Sequence, residues 1–202
     1  MQQKEHVIYP LFATPLMGMP LAMDNKRIMK NLKKFKFRHT GKVTNSYRSI
    51  DNKILNKSNF KTEKKAFEEA VKLFLQKLNY GQSFKILNSW ITKTPKNADC
   101  QSHVHPNSWV SGVYYPESDF SIMFEKDDEN FMYNVEYEND SNIFSSRTFK
   151  VNPKAGTILI FPSTLMHRII RNNTKRDRYS IAFNVVPVGT FHKGGDAEIT
   201  YV

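Results

Sequence analysis

A single cysteine, Cys100, is all the thiol the chain carries. An internal disulfide is therefore excluded, as is any zinc site built on paired cysteines, and a reducing, cytoplasmic setting is the expectation. Long apolar runs are missing too. The N-terminal stretch MQQKEHVIYPLFATPLMGMPLAM turns apolar after Val7, but Pro10, Pro15 and Pro20 interrupt it and Glu5 and His6 precede it. That pattern fits neither a secretory leader nor a spanning helix of roughly 20 apolar residues, so no membrane partner is expected. No Pro-, Gly- or Ser-rich linker divides the chain, and neither a repeat nor a low-complexity segment occurs. The 202 residues read as one domain, 1–202, long enough to bury a core.

Acidic residues are scarce, 19 against 30 lysines and arginines, a formal charge of +11. Nucleic acid, a membrane surface or an acidic metabolite could each answer such a balance. The lysines gather between Lys26 and Lys36 and between Lys53 and Lys65, on segments that read as helices, where a solvated basic face is the ordinary outcome. Few aromatic residues interleave with them beyond Phe35, Phe37 and Phe60, so a basic nucleic-acid-binding module is the less favoured reading.

Helical periodicity is confined to the first 80 residues. From Thr62 to Asn79, the residues Phe67, Ala70, Val71, Phe74, Leu75 and Leu78 fall on one apolar face. A shorter helix is predicted from about Asn25 to Phe35, with Asp24 as its N-cap and Ile28, Met29 and Leu32 inward. From Ser83 the pattern changes to short β-branched and aromatic runs between turn residues: FKILNSWITKT, SWVSGVYY, FSIMFE, the stretch around NVEYE, IFSSRTFKV, GTILIF, LMHRII, RYSIAFNVVPV and EITYV. Eight or nine strands so spaced mean a barrel or sandwich. The predicted fold is mainly β: a jelly-roll core over 83–202, with helical support from 1–80.

His103 and His105 in CQSHVHPNSW, and His167 in FPSTLMHRII, are the candidate metal ligands. On an extended strand, residues i and i+2 project to one face, so the first two imidazoles can converge while Val104 points away. The third must come from a distant strand, and His167 follows His105 by 62 residues. Two near ligands and one far is how facial triads are assembled. By itself the HxH pair is weak, because two such histidines also serve as surface residues, and His105 could pair with Asn107 instead. Arg178 opens the strand RYSIAFNVV, where Arg178, Ser180, Ala182 and Asn184 share a face suited to a polar pocket and Tyr179, Ile181, Phe183 and Val185 share a core-like one. Its planar, permanent charge suits a carboxylate. Arg176 competes for that role, though it precedes the strand pattern. Ser111, Val113 and Tyr115 alternate inward on the strand after HxH; Tyr115 reads equally as a second donor or as a packed strand tyrosine. Trp90, on one face with Asn88 and Thr92, reads first as core packing and second as pocket wall.

The motifs HVHPNSWVSGVYY, GTILIFPSTLMH and RYSIAFN resemble the 2-oxoglutarate- and Fe(II)-dependent oxygenase superfamily, and within it a branch common in bacteria and phages. The likeness extends loosely over most of the chain, including PLFATPL, and the first and last motifs are similar to those of prolyl-hydroxylase-type members. The resemblance implies a double-stranded β-helix, a cupin-like jelly roll. It implies Fe(II) on His103, His105 and His167, 2-oxoglutarate on Arg178 and Tyr115, and O2 as co-reactant. No catalytic residue beyond the ligands is implied, since the metal carries the hard chemistry and decarboxylation of 2-oxoglutarate to succinate is coupled to oxidation of a substrate. One departure stands out: His105 occupies a position where most of the superfamily has Asp or Glu, which leaves the ion's charge uncompensated until 2-oxoglutarate binds. A three-histidine, cupin-like metalloprotein that does not use 2-oxoglutarate is the alternative. Specificity is expected to reside in the polar, acidic stretch from Glu117 to Asn142.

Overall fold

Residues 7–40, 45–126 and 142–201 are described by the computed structural model. Both predicted helices form. The first, α1 (Asn25–Leu32), starts where the Asp24 carboxylate accepts the Arg27 backbone N–H, and it buries Ile28, Met29 and Leu32. The second, α2 (Lys61–Lys77), buries Phe67, Ala70, Val71, Phe74 and Leu75, the face that the periodicity marked.

The first 80 residues are not only helical. They also supply β1 (Met17–Pro20), β2 (Phe37–His39) and β3 (Tyr47–Ser49). Elements of three or four residues are too short to show an alternation of period two, which is why only their sheet partners reveal them. The remaining strands are β4 (Ser83–Thr94), β5 (Cys100–His103), β6 (Val110–Tyr115), β7 (Ile122–Glu125), β8 (Thr148–Val151), β9 (Thr157–Pro162), β10 (Met166–Ile169), β11 (Arg178–Phe191) and β12 (Ile199–Tyr201). The expected strand around NVEYE, and most of the stretch expected to set specificity, lie outside the described residues.

Two sheets result, an eight-stranded one ordered β1-β9-β6-β11-β4-β3-β2 with β12 paired to β11, and a four-stranded one ordered β5-β10-β7-β8. This crossing of distant strands into two facing antiparallel sheets is the double-stranded β-helix. The helices cover the outer face of the large sheet, where Phe67 stacks on Phe183 at 5.2 Å and Tyr179, Ile181 and Val185 are buried with them. A smaller core of Tyr115, Phe120, Ile122, Phe124, Leu159 and Phe161 lies between the sheets.

Strand β11 carries both environments. All eight residues from Arg178 to Val185 are buried, the odd-numbered ones in the helix-side core. Across the ladder Ser180 pairs with Thr92, Ala182 with Trp90 and Val113, and Asn184 with Asn88 and Ser111. Directly opposed residues in an antiparallel ladder project to the same side, so these line the inner face. Gly112, opposite Phe183, is the position where a side chain would not fit: a Cβ there would stand 2.1 Å from the end of the Phe183 ring.

Candidate metal centre

His103 ends β5, His105 lies two residues past it, and His167 sits on β10 directly opposite His103 in the β5–β10 ladder. The His105 backbone N–H donates to the Ser163 carbonyl at 2.9 Å, which holds it against the turn leaving β9. The three rings gather. Their centroids are 5.3 Å apart for His103 and His105, 4.4 Å for His103 and His167, and 5.1 Å for His105 and His167. One ring nitrogen from each lies within 4.8 Å of the others, close enough for a shared ion.

Hydrogen bonding on the far side of each ring assigns the tautomer. Nδ1 of His103 is 2.8 Å from the Gln101 carbonyl, and Nδ1 of His167 is 2.8 Å from the Leu165 carbonyl. A carbonyl only accepts, so both Nδ1 atoms carry the proton and both Nε2 atoms keep a lone pair. His105 Nδ1 lies 2.6 Å from Asn184 Oδ1, which also accepts from Ser111 Oγ at 2.9 Å, and Ser111 in turn meets Ser163 Oγ at 2.8 Å. The third imidazole is thereby oriented like the other two. Such outer partners are what fix metal-ligating histidines elsewhere.

Burial favours the neutral form of His105 and His167. Desolvation, and then the neighbouring His103, pushes His167 down to about 3. Burial also lowers His105, partly offset by the Asn184 hydrogen bond. Neutral imidazoles need release no proton to ligate, and three of them suit a borderline transition ion such as Fe(II), not Mg or Ca. The donor set therefore fits the metal. The proposed pairing of His105 with Asn107 does not form: Asn107 takes a left-handed turn conformation with φ of 60°, and Asn184 holds the ring.

A cavity of about 360 Å³ opens beside the triad and is walled by Tyr115, Trp90, Thr92, Ser180 and Arg48, among others. Trp90 is both packed and exposed to the cavity, 8% accessible and 5.5 Å from the His105 ring. Tyr115 is buried, and desolvation raises its phenol well above the ordinary value, so it stays a proton donor. Arg178 is buried and does not line the cavity wall itself. Its Nη1 donates to the Asp119 carbonyl at 2.6 Å and its Nη2 to the Ile170 carbonyl at 2.9 Å, with the guanidinium 4.8 Å over Phe120. Its Nε, and Thr94 Oγ1 opposite it in the ladder, are buried without a partner. Uncompensated groups of this kind mark where a polar ligand is wanted. Arg176 is spent elsewhere, on Glu117 and on Asp119 at 2.9 Å.

Two contributors escaped the sequence reading. Ser163 follows a proline at a strand end and has no periodic neighbours to announce it; Arg48 sits on the three-residue β3. Ser111 and Asn184 fall on the inward faces of their strand patterns, but the bond between His105 and Asn184 spans 79 residues and has no local signature.

The fold is a double-stranded β-helix, and the site is a three-histidine cluster placed to hold a metal ion. Among solved structures, HygX from Streptomyces hygroscopicus with nickel, 2-oxoglutarate and hygromycin B bound superposes with a TM-score of 0.60 at 14% identity, over 86% of this chain and 83% of that one. A prolyl-4-hydroxylase from Pseudomonas putida gives 0.59 at 14% identity, over 89% and 96%. A 2OG-Fe(II) oxygenase family oxidoreductase from Burkholderia pseudomallei gives 0.56 at 11%, over 85% and 84%. At such identities the likeness is one of fold. No protein of curated function matches in sequence. Residues 88–184, which span all three histidines, Tyr115 and Arg178, match the family described as "Putative 2OG-Fe(II) oxygenase". Over that stretch the chain is similar to this oxygenase family.

Proposed function

We propose that His103, His105 and His167 hold the iron of a 2-oxoglutarate-dependent dioxygenase of the hydroxylating type, and that Arg178 with Tyr115 receives the far carboxylate of 2-oxoglutarate. The observation that carries this is the shared tautomer: three imidazoles, each with Nδ1 spoken for and with one ring nitrogen within 4.8 Å of the others', leave Nε2 lone pairs beside a cavity. Iron with 2-oxoglutarate and O2 supplies the oxidation, in which succinate and CO2 leave and a substrate C–H becomes C–OH.

The protein's own part is placement and charge. Tyr115, kept protonated by burial, offers an O–H to a carboxylate, and the permanent charge of Arg178 compensates that carboxylate in a water-poor interior. The carbonyls of Asp119 and Ile170 hold the guanidinium in position before any ligand arrives. The cytoplasm is the proposed location, in keeping with the lone thiol; among the described residues no helix is long and apolar enough to cross a membrane.

Succinate release by the iron-loaded protein is the direct test, read alongside calorimetric titration of 2-oxoglutarate. Loss of one partner of a desolvated charge pair costs about 3–5 kcal/mol. Arg178→Ala should therefore weaken 2-oxoglutarate binding at least about a hundredfold with metal affinity retained, whereas Arg176→Ala, already engaged by two acids, should change little. Unaltered binding in Arg178→Ala would leave a three-histidine metalloprotein without this cosubstrate.

A further inference from the structure

Several arginines among the described residues are committed to acids or carbonyls. Arg27 pairs with Glu63, Arg168 with Glu125 at 2.6 Å, Arg176 with Glu117 and Asp119, and Arg178 with two carbonyls. Arg48 has none of this. It projects into the cavity from β3, its Nε is buried without a partner, and no acid or carbonyl meets its guanidinium among the described residues. Directly opposite it in the β2–β3 ladder stands another cation, Arg38. Like charges so placed destabilise a sheet. Burial and Arg38 both act against the charge on Arg48.

What holds Arg48 in this setting is Trp90. The guanidinium carbon lies 4.0 Å over the indole centroid, and the indole lies 5.5 Å from the His105 ring. A guanidinium seated over an aromatic face can still offer its N–H edges to an oxyanion in a two-pronged contact. The cation is thus one indole away from the His105 ring. Arg48 and Thr92 share the inner face through the β3–β4 ladder, with Trp90 two residues before Thr92 on the same strand.

We propose that Arg48, seconded by Arg38 and seated on Trp90, is the specificity determinant for the primary substrate, and that this substrate carries a carboxylate or phosphoryl group close to the carbon that is oxidised. The assignment rests on the oxygenase reading only for the last clause; the anion subsite itself rests on Arg48. The acidic stretch that starts at Glu117 would by itself favour a cationic substrate. Of its acids in the described residues, Glu117 and Asp119 are taken by Arg176 and Glu125 by Arg168, so they offer little to a cationic substrate.

Zn(II)-loaded protein, with and without saturating 2-oxoglutarate, can be titrated with benzoate, phenyl phosphate and the neutral isostere benzamide, following the Trp90 indole resonance by NMR. At least one anion should bind ten or more times tighter than benzamide, and the better anion identifies the group. Arg48→Gln should erase that preference, Arg48→Lys should keep part of it, and Arg38→Gln should weaken it by a smaller factor. Equal binding of benzoate, phenyl phosphate and benzamide, an unchanged preference in Arg48→Gln, or displacement of the anion by 2-oxoglutarate would overturn the subsite. Failure of 2-oxoglutarate to bind in the parallel calorimetric titration, with the anion preference intact, would remove the oxygenase reading and leave the subsite standing.

Discussion

Replacing Asn184 by alanine tests the origin of the ligand geometry. Asn184 Oδ1 accepts from His105 Nδ1 at 2.6 Å and from Ser111 Oγ at 2.9 Å, in a region with almost no solvent access. Loss of an outer partner of a metal-ligating histidine lowers metal affinity about 10- to 100-fold, which is about 1.4–2.7 kcal/mol. Here the lower figure is expected, because Ser111 Oγ already lies 3.1 Å from His105 Nδ1 and can turn to accept its proton. Asn184→Ala should thus weaken binding about tenfold and the double variant with Ser111→Ala about a hundredfold. Asn184→Asp, a charged acceptor that makes the imidazole a better donor to the metal, should tighten it. Competition of Co(II) or Zn(II) against a chromophoric chelator at pH 7.5 reads all three, with the melting temperature of the metal-free form as the check on folding. Wild-type affinity in the double variant, or weaker binding in Asn184→Asp, would refute the assigned tautomer and with it the orientation of the Asn184 amide.

His105→Asp should retain metal and raise succinate release uncoupled from substrate, whereas His103→Asp should do neither; equal behaviour would place the asymmetric position wrongly. Gly112→Ala should destabilise the fold by ~1–3 kcal/mol or more, because Phe183 is fully buried against Phe67 and cannot withdraw. A lowered urea midpoint at unchanged slope, relieved by Phe183→Leu, would confirm it. Depressed histidine values make the metal-free protein acid-sensitive: the unfolded chain takes up protons that folded His167 and His105 refuse. Stability is therefore full above the ordinary value of 6.5 and declines as pH falls from there toward about 3. Melting temperatures flat between pH 7.5 and 5 would contradict this.

Much of the molecule is legible wherever a pattern is long enough to repeat. Phe67 to Leu75 on α2 and the two faces of β11 announce themselves by spacing, and the HxH pair with the remote His167 follows from strand geometry. What escapes does so for physical reasons. Strands β1, β2 and β3 owe their existence to partners far along the chain, and β3 carries Arg48 with it. The tie from Asn184 to His105 is a product of sheet order, and no window of sequence contains both. Arg178 was legible by residue type and face, yet the carbonyls of Asp119 and Ile170 that hold it belong to segments outside its own strand.

His103 and His167 ride on the small sheet, while His105 is fastened through Asn184 and Ser111 to the large one. An ion held by all three is then a cross-link between the sheets, in a chain whose single cysteine can form no internal disulfide. Ligation favours the folded state by mass action, by about 4 kcal/mol when free metal stands a thousandfold above its dissociation constant. Metal supply would accordingly govern how long the polypeptide survives proteolysis as well as how fast it turns over, and a cell short of iron would hold less of the protein.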